Sequence, residues 1–237
     1  FNFNPDIKSP VQDKRVRQAL NYAVDRDAIV KAILAGSATP VGQPMTPSTF
    51  GFTPEVKPYA SDIARAKALL AEAGYPDGFS VEMSFPTGIV VSGKEVAEAV
   101  AGQFAKVGVK VSIQQMEWAA FNQKGIEGTI SPLFLSYIRS SNFDADQILT
   151  NAVRTRGAFN FGRYSNTEVD ARTEKAGTLL DQAERSKLYG EIAQITSDDP
   201  PWVYLHSPKV MYGVNNKLAW AAVPDNIVFV FDDVSTK

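Results

Sequence analysis

The sequence predicts an α/β domain with a mixed sheet flanked by helices, and three observations carry that prediction. Apolar residues at helical spacing alternate along the chain with short stretches of period two. Residues 130–138 are apolar nearly throughout, the pattern of a strand covered on both faces by helices. Hydrophobic residues make up 44% of the 237 and aromatic residues 11%, enough for a substantial core and too much for a disordered chain.

The elements follow in order. Val16, Leu20, Ala23 and Val24 mark the buried face of a first helix, while Lys14, Arg15, Gln18 and Asn21 fall elsewhere. Asp25 is placed to cap a second helix through Ile29, Val30, Ile33 and Leu34, stopping at Gly36. Pro40, Pro44, Pro47, Pro54 and Pro58 make residues 37–60 a long loop. Ser61 opens the next helix, which carries Ile63, Ala66, Leu69 and Leu70 and closes at Gly74 with Pro76 beyond. Phe79, Val81, Met83 and Phe85 alternate as a strand. Ser92 and Glu95 have the spacing of a capping box before a helix through Val96, Val100 and Phe104, which ends near Gly108.

Val109, Val111 and Ile113 form a further strand, followed by a short helix around Trp118 to Lys124. After the apolar stretch 130–138, helices are expected at 144–153, 167–180 and 182–196, then strands at Trp202 to Leu205 and Lys209 to Val214. Leu218 to Lys237 carries Trp220, Phe229 and Phe231 with little pattern.

Composition narrows the chemistry. The net charge of −2, with acids and bases interspersed, offers no basic stripe for a phosphate backbone, so no nucleic-acid partner is expected. The chain has no cysteine, which removes disulfides, thiolate metal sites and cysteine nucleophiles. No apolar run approaches the ~20 residues of a membrane span, and no leader pattern opens the sequence. His206 is the only histidine and reads as a strand-end residue. No nucleophile elbow, His-Glu-x-x-His pair or phosphate-cradling glycine loop occurs, so neither catalysis nor a cofactor is expected. The acid pairs Asp144/Asp146 and Asp198/Asp199 are adjacent in sequence, which does not make a cleft, and the second reads as a helix end before a Pro-Pro turn. Without Cys and with one His, carboxylates alone would supply a metal's ligands, and no metal site is assigned.

The candidate binding segment is Tyr137 to Asp146. It follows a buried strand and precedes a helix, the position at which α/β sheets place ligands. Arg139, Ser140, Ser141, Asn142 and Asp144 are its candidate contacts, with Arg139 suited to a ligand carboxylate. Asn142 or Asp144 is equally suited to cap the following helix, and the two roles are compatible. Trp118, Asn160 and Tyr164 are secondary candidates, as aromatic and polar walls for a small-molecule cleft. Trp118 and Phe121, a helical turn apart, also fit a core. Phe159 and Phe161, which flank Asn160, are placed to line such a cleft from a loop.

Particular residue strings add a resemblance. Phe3-Asn4 opens the chain, Arg15-Val-Arg-Gln-Ala19 lies in the first helix, and Asp25-Arg-Asp27 stands before the second. Ala66-Lys-Ala-Leu-Leu-Ala-Glu-Ala-Gly-Tyr-Pro-Asp-Gly-Phe79 follows, then Phe104 to Ile113, Glu117-Trp118 with Phe121, Tyr164-Ser-Asn-Thr-Glu-Val-Asp170, Asp181 to Tyr189, and Ser197 to Leu205. In this order they resemble the C-terminal lobe of the extracellular solute-binding protein family 5, the peptide/nickel-binding receptors of ABC importers.

The resemblance implies a periplasmic-binding-protein-like lobe in which residues 1–237 form the second jaw of a two-lobed receptor whose first lobe is absent. It implies a tail over 218–237 that packs toward that lobe. A naturally single-lobed protein is the alternative. The implied function is non-catalytic capture of a peptide or peptide-like solute such as glutathione, and its delivery to an ABC transporter permease. The implied location is periplasmic or extracellular, with or without a lipid tether, and the implied state a monomer. In peptide-binding relatives the corresponding loop places Trp and Asp where this chain has Ile138 and Ser141, and that Asp pairs with the ligand's α-amine. The stretch Ser140 to Asp146 is more similar to the loop of glutathione-binding relatives. A sugar receptor, or the sensor domain of a regulator, are the other readings.

Overall fold

The computed structural model describes residues 1–221 and 234–236. Helices α1 (Lys14–Tyr22) and α2 (Arg26–Ala32) lead to strand β1 (Ala38–Pro40) and helix α3 (Ile63–Glu72). A repeating strand and helix order follows: β2 (Ser80–Pro86), α4 (Gly93–Ala105), β3 (Lys110–Met116), α5 (Trp118–Glu127), β4 (Leu133–Phe134) and α6 (Ala145–Ile148). A π-helical turn over Leu149–Val153 continues α6, and α7 (Thr167–Thr178), α8 (Gln182–Asp198), β5 (His206–Pro208), β6 (Leu218–Ala219) and β7 (Ser235–Thr236) complete the described chain.

The central sheet runs in the order β3-β2-β4 and is wholly parallel, with Ser80 opposite Lys110 and Met83 opposite Leu133. Antiparallel pairing is also present, but in separate two-stranded sheets, β1 with β5 and β6 with β7. Parallel strands need crossovers, and α4 and α5 supply them. The main core packs β2, β4 and α1 to α4 around Leu20, Leu70, Val81, Met83, Val100 and Phe104. A second core, with Met45, Leu149, Tyr164, Val169, Tyr189 and Ile192, joins the proline-rich segment to α6, α7 and α8. Phe121, Ile130 and Phe161 form a third, small cluster beneath α5.

Helix starts follow the short polar residues. Asp13, Asp25, Asp62, Asp144, Asn166 and Asp181 each occupy an extended N-cap and accept a backbone N–H of the first turn. Asp62, not Ser61, therefore opens α3. The capping box expected at Ser92 is not formed: Val90 O accepts Gly93 N at 3.0 Å in a turn that leaves Ser92 left-handed at φ 49°, with no side-chain cap bond. Gly78, at φ +78° in the turn before β2, is tightly confined, since a Cβ there would lie 2.1 Å from Gly108 O at the start of β3.

Three strand expectations change. The stretch 130–138 pairs as a strand only at Leu133–Phe134, because Asn2 takes the earlier carbonyls: its Nδ2 donates to Ile130 O at 2.6 Å and its N to Pro132 O at 2.9 Å. Trp202 to Leu205 is not a strand, since Asn21 Nδ2 and Arg26 Nε bind Trp202 O and Tyr204 O at 3.0 and 2.5 Å. The strand forms just beyond, at β5, and its partner β1 lies inside the proline-rich segment expected to be loop throughout. Lys209 to Val214 carries no strand. In the final stretch β6 and β7 pair, while Phe229 and Phe231 lie outside the described residues.

Candidate functional site

The carboxyl ends of the three parallel strands define one edge of the sheet. β2 ends at Pro86, β3 at Met116 and β4 at Phe134. Each is followed by an exposed apolar or aromatic side chain: Val91 at 64% exposure, Trp118 at 40% and Tyr137 at 52%. Thr87 knits the first two exits together, its N and Oγ1 donating to Met116 O at 2.9 and 3.2 Å.

The loop after β4 is a hydrogen-bonded unit. Ser140 Oγ lies 2.7 Å from Asn142 Oδ1 and accepts Asp144 N at 3.2 Å. Gln147 reaches back from α6: its Oε1 accepts Ser141 N at 2.7 Å and its Nε2 donates to Ser141 Oγ at 3.0 Å. Ser141, Asn142 and Arg139 are exposed, and Arg139 has no hydrogen bond or ion pair among the described residues. Asp144 is the N-cap of α6, with Oδ1 accepting Asp146 N at 2.9 Å. Its carboxylate is also held by Arg185 of α8, whose Nη2 sits 2.9 and 2.8 Å from the two oxygens and 3.0 Å from the Tyr189 hydroxyl. Asp144 is thus engaged inside the fold on both counts.

The secondary candidates divide. Trp118 opens α5 and lies stacked on Phe121 at 5.9 Å, with Phe121 fully buried, so the indole is an exposed plate on a fixed aromatic base. Phe161 presses against α5 at Gly125, where a Cβ would meet its ring at 2.5 Å, and Phe159, 60% exposed, meets Phe161 edge-on at 6.3 Å. Asn160 and Tyr164, at 5% and 3% exposure, are interior. Asn160 Nδ2 donates to Arg154 O at 3.0 Å and Tyr164 O at 2.8 Å, while its Oδ1 accepts Tyr164 N at 3.0 Å. Tyr164 packs edge-on against Phe3 at 5.4 Å and its hydroxyl donates to Asp199 at 3.3 Å. Burial, with Asp199 beside it, holds that phenol well above its ordinary pKa. The structure therefore brings Trp118, Arg139, Ser141 and Asn142 to the surface, leaves Ser140 half-buried in the loop's own hydrogen bonds, and turns Asn160 and Tyr164 inward as loop and core ties.

Val91, Gln147 and Arg185 are missing from the residues singled out by sequence, and Tyr137 opened the candidate segment without being named among its contacts. Gln147 had a signal: it stands three residues after Asp144, the spacing of a capping box, though it reaches past the cap to Ser141. Arg185 had none, because its partner lies 41 positions away.

Two other ionisable groups singled out by sequence, Asp199 and His206, lie within the fold, and His206 Nδ1 is buried without a hydrogen-bond partner among the described residues. Asp199 pairs with Arg17. His206 faces Pro40 across β5 and β1, and burial lowers its pKa and favours the neutral ring. Among the described residues no cluster of three or more His, Asp or Glu is arranged to hold a metal, and no helix is long and apolar enough to cross a membrane. Cavities of about 220 and 330 Å3 lie against the proline-rich segment and the start of α2 rather than at the sheet edge.

Known proteins identify the family. Residues 1–160 match the model of bacterial extracellular solute-binding proteins, family 5. The chain belongs to this family. Family 5 relatives include heme-binding protein A of Haemophilus influenzae, 35% identical over 206 residues that make up 85% of this chain and 37% of the relative. The glutathione-binding protein GsiB of Pectobacterium atrosepticum is 32% identical over 234 residues, 95% of this chain and 45% of the relative. The solved structure of HbpA2 from Haemophilus parasuis superposes with a TM-score of 0.85 at 29% identity, over 100% of this chain and 47% of that one. The chain thus spans less than half the length of each of these relatives, and the first two are named as binding proteins.

Proposed function

We propose that this chain supplies one wall of a solute receptor, which captures a peptide-like solute of the glutathione class without chemistry and delivers it to an ABC transporter permease outside the cytoplasm. The observation that carries the proposal is the edge of the parallel sheet, where Val91, Trp118 and Tyr137 stand exposed beside the polar loop Arg139 to Asn142. Apolar plates with a few convergent polar groups suit a small organic solute. Arg139 offers a fork for a solute carboxylate, and the hydroxyls of Ser140 and Ser141 with the Asn142 amide offer hydrogen bonds. Asp144 is spent on α6 and Arg185. The loop therefore lacks a free carboxylate at Ser141 for a peptide α-amine, which favours glutathione-like solutes over simple dipeptides.

An open edge has one jaw. In this reading the solute is enclosed by a second lobe closing over this chain, and closure is driven by the solute's greater affinity for the closed form. The receptor is monomeric and periplasmic or extracellular, and a lipid tether is one way to hold it at the membrane.

A thermal-shift panel tests the proposal, with reduced glutathione, short peptides, hemin, oligosaccharides and nickel chelates. It is run on this chain and on a form extended by the adjoining lobe. A shift with glutathione in the extended form alone is the expected result. A shift of the 237-residue chain at micromolar solute removes the one-jaw reading, and a response to oligosaccharide alone replaces the solute class.

A further inference from the structure

The polar loop after β4 carries a backbone conformation that its own sequence does not favour. Phe143 has φ +55°, a left-handed conformation that a bulky aromatic residue adopts at a cost. Such a conformation persists only where the surroundings over-determine it. Here they are identifiable. Phe50 N donates to Phe143 O at 2.7 Å and Ala145 N to Phe50 O at 3.0 Å, a bridge that clasps the residue on both sides. Directly beyond it, Arg185 grips both oxygens of Asp144. The Arg185 guanidinium also lies 5.1 Å from the centre of the Phe50 ring and 5.5 Å from that of Tyr189. One side chain of α8 therefore touches the loop, the segment that clasps the loop, and its own helix.

We propose that Arg185 is a positioning residue for solute capture: by holding Asp144 and Phe50 together it fixes the strained turn at Phe143, and so aims Arg139, Ser141 and Asn142 outward from the sheet edge. The proposal rests on the solute face described above. Among the described residues Arg185 makes no hydrogen bond or ion pair with Arg139 to Asn142. It acts from beneath them. Gln147 sets the loop from the other side, so two residues outside the exposed loop define its shape. A single nitrogen, Nη2, meets both carboxylate oxygens and the Tyr189 hydroxyl, while the guanidinium lies against the Phe50 and Tyr189 rings, a combination of ion pair and ring contact that an ammonium reproduces less well.

Amide hydrogen exchange on this chain, read residue by residue, tests the positioning directly. In Arg185→Met the amides of Ser141, Asp144 and Phe50 are expected to exchange about tenfold faster, while those of Val169 and Ile192 in the adjoining core stay within about twofold. Asp144→Asn, which keeps a competent cap but loses the ion pair, is expected to do the same should Arg185→Met fold poorly. Unchanged loop exchange, or equal acceleration in loop and core, overturns the proposal.

A second arm measures reduced glutathione affinity in the two-lobed form. Arg185→Met is expected to bind about tenfold more weakly and Arg185→Lys to recover part of the loss. Parent-like affinity in Arg185→Met overturns the functional half of the inference. If the parent itself does not bind glutathione, the solute class fails, while the exchange result still decides what Arg185 does.

Discussion

Asn160 shows how a residue's type and neighbours can point outward while its contacts lie within. Flanked by Phe159 and Phe161, it reads as a polar group lining a cleft, yet its amide closes the turn between Val153 and Tyr164 by both donating and accepting. Removing it strands several buried backbone groups. Asn160→Ala is expected to lower the unfolding free energy by about 2–4 kcal/mol, read from denaturant midpoints, without a selective effect on solute affinity. A selective loss of affinity at parental stability would return Asn160 to the binding face. The arginines of the first two helices follow the same logic. Arg26 is buried, donates to the carbonyls of Asn21, Val24, Tyr59 and Tyr204, and has its pKa lowered to about 10 by desolvation. Asn21, placed off the apolar face by helical spacing, is fully buried because it ties α1 to Trp202 and Tyr204. Spacing identifies an apolar face; it does not reveal that polar residues beside it have long-range carbonyls to satisfy.

At the scale of elements, α5 links the exposed indole of Trp118 to the small core beneath. Gly125 lets that helix lie on the Phe161 ring, where a Cβ would come within 2.5 Å. Gly125→Ala is expected to cost about 1–3 kcal/mol through overpacking and to displace the start of α5. The indole NMR signal of Trp118 should shift while those of Trp202 and Trp220 stay in place, and an unmoved Trp118 signal would show that the ring yields instead of the helix. The strands were legible unevenly. β2 and β3 follow their apolar alternation, Val81, Met83 and Phe85 being buried. β4 and β5 are short, since pairing is decided by which acceptors remain after Asn2, Asn21 and Arg26 have taken theirs. The helix caps were mostly readable because a cap is a local bond; Ser92 is the exception, overridden by the turn that precedes it.

For the whole molecule, the phenols of Tyr59, Tyr164, Tyr189 and Tyr204 are all raised, with burial the largest cause in each, and that of Tyr59 reaches about 12 from 10.0. A phenol raised by folding stabilises the native state fully below the unfolded value, and that contribution is lost as pH climbs toward the folded one. Stability should therefore fall between pH 10 and 12 as the unfolded chain ionises first. Tyr59→Phe should flatten that fall by on the order of 1–2 kcal/mol, measured by chemical denaturation at each pH. Parallel slopes for parent and variant would mean that Tyr59 ionises as freely in the fold as out of it.

The α/β class, most of the helix starts and the family were legible in the residues alone. These rest on local periodicity, local caps and residue order. That the central sheet is wholly parallel, that Val91, Trp118 and Tyr137 follow strand ends on one edge, that Asn160 and Tyr164 turn inward, and that Arg185 pairs with Asp144 emerged with the folded chain. The physical reason is the same in each case: these outcomes depend on which hydrogen-bonding groups and rings from distant parts of the chain meet when the cores close. Residues as far apart as Arg17 and Asp199, or Asp144 and Arg185, acquire their roles only at that moment.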